Sequence, residues 1–154
     1  FAPLGWGDWQ ASVAAITGLV AKENVVATFG ILYGFAEVAE DGLEIWGTLA
    51  ASFTVAAAYS FLVFNLLCAP CFAAIGAIKR EMNNAKWTIF AVAYQCVFAY
   101  VIAFMIFQFA TFFTTGVFGI GLIIALLFLL VMLYLLFRSE SKKQVHLEKV
   151  KVNA

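Results

Sequence analysis

Cys68 and Cys71 flank Pro70 inside a long apolar run, and Asn65 stands three residues before the first thiol. Proline cannot donate a backbone N–H and clashes with the preceding turn, so a helix running through Pro70 kinks or restarts. A restart is the more useful expectation, because proline is well tolerated at the first position of a new helix. The carbonyls just before Pro70 are then free to face a ligand. In lipid such a break survives only where it is buried in protein or lines a polar cavity, and broken helices near the bilayer midplane build ion sites in many transporters. Thiolates favour transition metals over Mg²⁺ or Ca²⁺. Asn65 shares a helix face with Cys68 and adds an amide oxygen. Glu23 and Asn24 offer further oxygen ligands from an apolar segment upstream. Each donor has a plainer alternative. A free cysteine packs as a small hydrophobe, which is the reading for Cys96. An asparagine makes interhelical amide hydrogen bonds. Met82, Met105 and Met132 read as filler.

These residues sit in a chain of 154 residues that is 65% hydrophobic and 12% charged, with a mean hydropathy of +0.99. A soluble domain is about 45–50% apolar and about 25% charged, so the composition implies an all-α integral membrane protein. The formal net charge of +0 excludes a field suited to nucleic acid. Residues 45–78 and 87–137 carry no charge. A span needs roughly 20 apolar residues, so these runs hold at least three. With residues 11–36 they suggest about four membrane-embedded helical segments, at least one broken at Pro70. The sequence begins Phe1-Ala2-Pro3 without a methionine and is expected to be the C-terminal part of a longer protein. Three cysteines in apolar segments imply no disulfide framework. The C-x-x-C spacing has no βαβ pattern around it, and the lone His146 in the polar tail cannot complete a structural zinc site.

In chain order, Trp6 and Trp9 suit a membrane interface. Residues 11–36 are interrupted by Lys22-Glu23-Asn24, giving either a span with three polar residues near its centre or a re-entrant hairpin with its turn at a membrane surface. Lys22 and Glu23 either partly neutralise each other or pair elsewhere, since a charge at a helix centre faces a partner or a cavity. Residues 37–44 form an acidic loop. Residues 45–78, if helical throughout, reach about 50 Å, so a tilt, an interfacial start or the break at Pro70 absorbs the excess. The small residues Ala50-Ala51-Ser52 and Ala56-Ala57-Ala58 suit close helix packing. Lys79, Arg80 and Lys86 mark one basic loop. Arg138, Lys142, Lys143, Lys149 and Lys151 mark the end of the last span and the tail. Both are cytoplasmic by the positive-inside rule.

The run Thr17-Gly18-Leu19-Val20-Ala21-Lys22-Glu23-Asn24-Val25-Val26, with Thr28-Phe29-Gly30 and Leu32-Tyr33-Gly34, resembles a signature of the FeoB family of prokaryotic ferrous iron transporters. Phe61 to Asn65, Pro70-Cys71 and Ile78-Lys79-Arg80-Glu81 resemble that family's second gate motif, and Trp87 to Gln95 its following helix. The likeness covers about residues 4–110. It implies a second gate-type transmembrane repeat over residues 1–110; the apolar run and the basic residues beyond it mark a final transmembrane helix over 111–138 and a polar, basic cytoplasmic tail over 139–154. It implies Fe²⁺ as transported ion rather than tightly bound cofactor, with Cys71 and Glu23 carried over directly and Cys68 as a less general feature. The expected partners are the bilayer, an upstream gate repeat and an upstream GTP-binding domain of the same protein. A homo-oligomer is compatible with this reading. The expected location is the prokaryotic inner membrane. No G-x-x-x-x-G-K-[ST] occurs, so GTP acts only through the upstream domain and this chain is not an enzyme. The competing class is a membrane thiol oxidoreductase using the C-x-x-C pair. It needs a second cysteine pair, and only Cys96 remains.

Overall fold

Three capping side chains set where the principal helices begin in the computed structural model, which describes residues 1–35, 45–116 and 118–152, with side chains as far as Arg138. Asp8 accepts from the Ala11 N–H at 3.0 Å and starts α1 (Trp9–Thr17). Thr54 accepts from the Ala57 N–H at 3.2 Å and starts α4 (Val55–Leu67). Asn84 accepts from the Lys86 N–H at 3.0 Å and starts α6 (Ala85–Thr115). Such caps satisfy N–H groups that a helix leaves unpaired at its first turn. The remaining helices are α2 (Asn24–Leu32), α3 (Trp46–Ser52), α5 (Phe72–Met82) and α7 (Ile120–Val152). No strand occurs among the described residues. The acidic loop of residues 37–44 and the side chains of the basic tail lie outside them, although the backbone of α7 continues through that tail.

Among the described residues, three stretches are long and apolar enough to cross a membrane: Val55–Met82, which contains the break, Ala85–Thr115 and Ile120–Arg138. The segment read over 11–36 is described as far as Phe35 and does not make a fourth continuous span. It folds into α1 and α2, nine residues each, which at about 1.5 Å per residue reach far short of the roughly 30 Å hydrocarbon core. The two helices double back on each other, with the Thr17 and Thr28 hydroxyls 3.0 Å apart. Gly18 permits the approach, because a Cβ there would lie 2.7 Å from Val25 Cγ2. Lys22, Glu23 and Asn24 therefore occupy the tip of a helical hairpin.

The central helix is α6. It runs antiparallel to α4, since Ser60 meets Ala103 and Cys68 meets Cys96. Ala99 and Ala103 on α6 and Ala125 on α7 are fully buried, so small residues let the backbones approach closely. Phe104 of α6 meets Phe128 of α7 edge-on at 6.5 Å, and Gly121 of α7 packs on the Gln108 carboxamide of α6. This register makes α6 and α7 antiparallel and brings Arg138 towards the same end of the bundle as the Asn83–Asn84 turn. Of the small-residue surface expected on the second segment, Ala56 and Ala57 are buried, whereas Ala50, Ala51 and Ser52 are exposed.

Trp6 departs from the interfacial role expected of it. Only 1% exposed, it donates its indole N–H to Ser60 Oγ at 3.3 Å, and Ser60 donates to the Ala103 carbonyl at 3.1 Å. Phe1 stacks on the indole at 4.4 Å and Phe61 meets it edge-on at 5.0 Å. Gly5, at φ +87 and against Phe107, turns the chain so that Trp6 enters the core. Trp9, 61% exposed, remains free for an interface. A buried indole takes a partner wherever one is available, and Ser60 supplies it. Ser60→Ala strands that N–H and is expected to cost about 1–3 kcal/mol. Thermal unfolding of the purified full-length protein checks this, and an unchanged transition contradicts it.

Candidate functional site

The site is built by what Pro70 fails to do. In a continuous helix the Leu66 carbonyl accepts from the N–H four residues on, at position 70, and proline has none. Helix α4 accordingly ends at Leu67. Cys68 still donates its N–H to Phe64 O at 2.8 Å, then turns out of the helix at ψ 167. Helix α5 restarts at Phe72 with Cys71 as its N-cap, so Pro70 lies before the cap rather than at the first helical position.

The orphaned Leu66 carbonyl is taken by Lys22, whose Nζ donates to it at 3.1 Å across 44 residues of sequence. An ammonium at the carbonyl end of a helix also meets the negative end of its dipole. This locates the partner of Lys22 in the backbone of α4; the ammonium does not pair with Glu23. It also places the hairpin tip. Leu66 lies near the middle of Val55–Met82, so the Lys22 side chain reaches the broken span partway along its length instead of at one end.

The expected donors divide around this break. Asn65 donates its amide to Phe61 O at 2.8 Å, an intrahelical bond rather than an interhelical one. Cys68 and Cys71 are both half-buried at the break. The sulfur next to Cys68 is Cys96 of α6, at 3.8 Å. Glu23 and Asn24 are exposed at the tip. Among the described residues no three of His, Cys, Asp and Glu gather to hold a metal. A groove of about 490 Å³ between α2, α3 and α4 is lined by apolar residues such as Val26, Phe29, Phe53 and Leu62 and offers no metal donor.

Three features escaped the sequence reading. The acceptor of Lys22 could have been found by counting four residues back from Pro70. Cys96 lies on the α6 stripe whose other members include Thr88, Ala99 and Ala103, all buried, a spacing visible in the sequence. Gln95 holds a buried carboxamide oxygen with no hydrogen-bond partner, for which the sequence carries no signal.

A helical bundle in which a hairpin tip meets a broken membrane-length span defines a polytopic membrane protein of the discontinuous-helix kind. The family model described as Gate, nucleoside recognition, matches residues 1–85, and the chain belongs to that family, among the gate regions of FeoB ferrous iron transporters. It is 41% identical over 106 residues to the Fe(2+) transporter FeoB of Methanocaldococcus jannaschii, covering 69% of this chain and 15% of that protein. The FeoB of Staphylococcus aureus strain COL is 40% identical over the same length and coverage. The FeoB of Campylobacter jejuni is 35% identical over 99 residues, 64% of this chain and 16% of that protein. The chain thus spans roughly a seventh of the relatives it matches. No solved structure matches it significantly.

Lys22→Met removes the donor that replaces the missing N–H of Pro70, whereas Lys22→Arg keeps a cationic donor. The first strands the Leu66 carbonyl and is expected to cost about 1–3 kcal/mol of stability, and the second substantially less. Denaturation of the full-length protein in detergent compares them, and equal losses contradict the assignment.

Proposed function

We propose that this chain is the second gate repeat of a ferrous iron importer, and that Fe²⁺ is coordinated transiently at the break between α4 and α5. The observation that carries the reading is the break itself, a membrane-length span interrupted at Pro70 with thiols on both sides and a polar hairpin tip against it. Support comes also from relatives whose names describe Fe(2+) transport. Cys71, at the start of α5, supplies sulfur. Cys68, Asn65, Glu23 and Asn24 are the co-ligands within this chain, and an upstream repeat completes the shell. A hairpin tip and a broken span that touch can rock together against the other repeat, alternating access to the ion.

The chain performs no covalent chemistry in this scheme. GTP hydrolysis belongs to an upstream domain, and Fe²⁺ is cargo rather than cofactor. The protein sits in the prokaryotic inner membrane as a multi-pass protein, with the Lys79-to-Lys86 turn and the basic C-terminus on the cytoplasmic side. The likeness in register of α6 and α7 supports a common side for these two ends, and the excess of Lys and Arg supports the cytoplasm. The thiol oxidoreductase alternative loses ground, because Cys96 is engaged with Cys68 and no second pair remains in this chain to relay electrons.

Uptake of radioactive iron by cells carrying full-length variants, normalised to protein in the membrane, tests the reading. Cys71→Ser keeps size but substitutes a hard, poorly ionising ligand. It is expected to lower uptake by about ten-fold, as is Cys71→Ala, with Cys68→Ser less harmful. Glu23→Gln is expected to lower uptake at normal abundance. Wild-type uptake by Cys71→Ser contradicts the metal role.

A further inference from the structure

Cys68 and Cys96 bring two sulfurs to 3.8 Å from two different helices, the first at the end of α4 and the second within α6. Both are free thiols and half-buried. A disulfide holds its sulfurs about 2.05 Å apart, so the pair is not bonded. At this distance the Cys68 thiol donates a weak S–H···S hydrogen bond to Cys96 Sγ, and the same spacing suits a shared metal ion. Two sulfurs each about 2.3 Å from a tetrahedral divalent ion stand about 3.8 Å from each other. The separation present in the empty pair is therefore the one a chelated ion requires, and neither sulfur has to move relative to the other to accept it.

The surroundings hold that geometry. The Cys68 backbone is anchored through its N–H to Phe64 O at 2.8 Å. The α4–α6 contact is pinned further along by the bond from Ser60 to Ala103 O at 3.1 Å and by the fully buried Ala99 and Ala103. Lys22 sits two residues from Cys68 in its contact with Leu66, which bears on the charge balance. Two thiolates cancel the charge of a divalent ion, so loading the pair adds no net charge beside that ammonium in an apolar span.

We propose that Cys68 and Cys96 form a bidentate dithiolate site for a thiophilic divalent cation. Binding forms two metal–sulfur bonds and releases one proton from each thiol to solvent, with no change in oxidation state. The identity of the natural ion as Fe²⁺ rests on the importer reading, and the pair is then a coordination point on α6 additional to Cys71. The site itself requires only the two thiols.

The test uses Co²⁺ with the purified, reduced full-length protein and reads the sulfur-to-cobalt charge-transfer absorption. Cys68→Ser and Cys96→Ser are each expected to weaken the Co²⁺ affinity of this signal by about ten-fold or more. The double variant should lose little beyond either single, because a chelate fails as a unit. An unchanged signal in Cys96→Ser overturns the proposal, as do independent, additive losses. A second measurement needs no substitution. Cd²⁺ is expected to protect Cys68 and Cys96 together from alkylation, read by mass spectrometry, and equal alkylation with and without Cd²⁺ overturns the pair. Absence of Fe²⁺ uptake by the wild-type protein, with the cobalt result intact, removes the importer reading and leaves the dithiolate site standing.

Discussion

A single missing N–H, at Pro70, governs how the polar residues of this chain are arranged. Leaving a carbonyl unpaired in lipid costs several kcal/mol by the usual accounting of membrane backbones, and holding a lysine ammonium in an apolar segment is also unfavourable. The bond from Lys22 Nζ to Leu66 O offsets both costs at once. It requires the hairpin of α1 and α2 to turn at the depth of the break. That requires short helices, and Gly18 lets them close on each other.

The frame that makes this contact possible is the antiparallel pair of α4 and α6. Its interface is made of alanines on α6 and a fully buried Ser60 on α4, with the Trp6 indole closing the relay from the N-terminal turn. Because the backbones are close, thiols at Cys68 and Cys96 meet directly across the interface. The same closeness links the end of α4 to the middle layer of the bundle.

Much of this was legible in the sequence and some was not. Charge-free runs bounded by Lys79, Arg80 and Arg138 marked the spans, because length and hydropathy are local properties. The break was legible because proline acts on its own helix. Its exact form was not: Cys71 rather than Pro70 begins α5, since the residue that caps depends on how the chain leaves α4. Residues 11–36 admitted both a span and a hairpin. The choice depended on a contact 44 residues away, which no local pattern carries. Trp6 was misplaced for a related reason, as an aromatic beside an apolar run fits both an interface and a core until its hydrogen-bond partner is known. Cys96 read as packing because its pairing with Cys68 exists only once α4 and α6 are in register.

The dependence of the Lys22 contact on Pro70 is measured most directly by the coupling between the two positions. Unfolding free energies of the full-length protein would be compared for wild type, Lys22→Met, Pro70→Ala and the double variant. Alanine at position 70 restores the N–H that an extended α4 donates to Leu66 O, so most of the loss caused by Lys22→Met is expected to disappear in the Pro70→Ala background. An equal loss in both backgrounds contradicts the claim that Lys22 stands in for the donor that proline lacks.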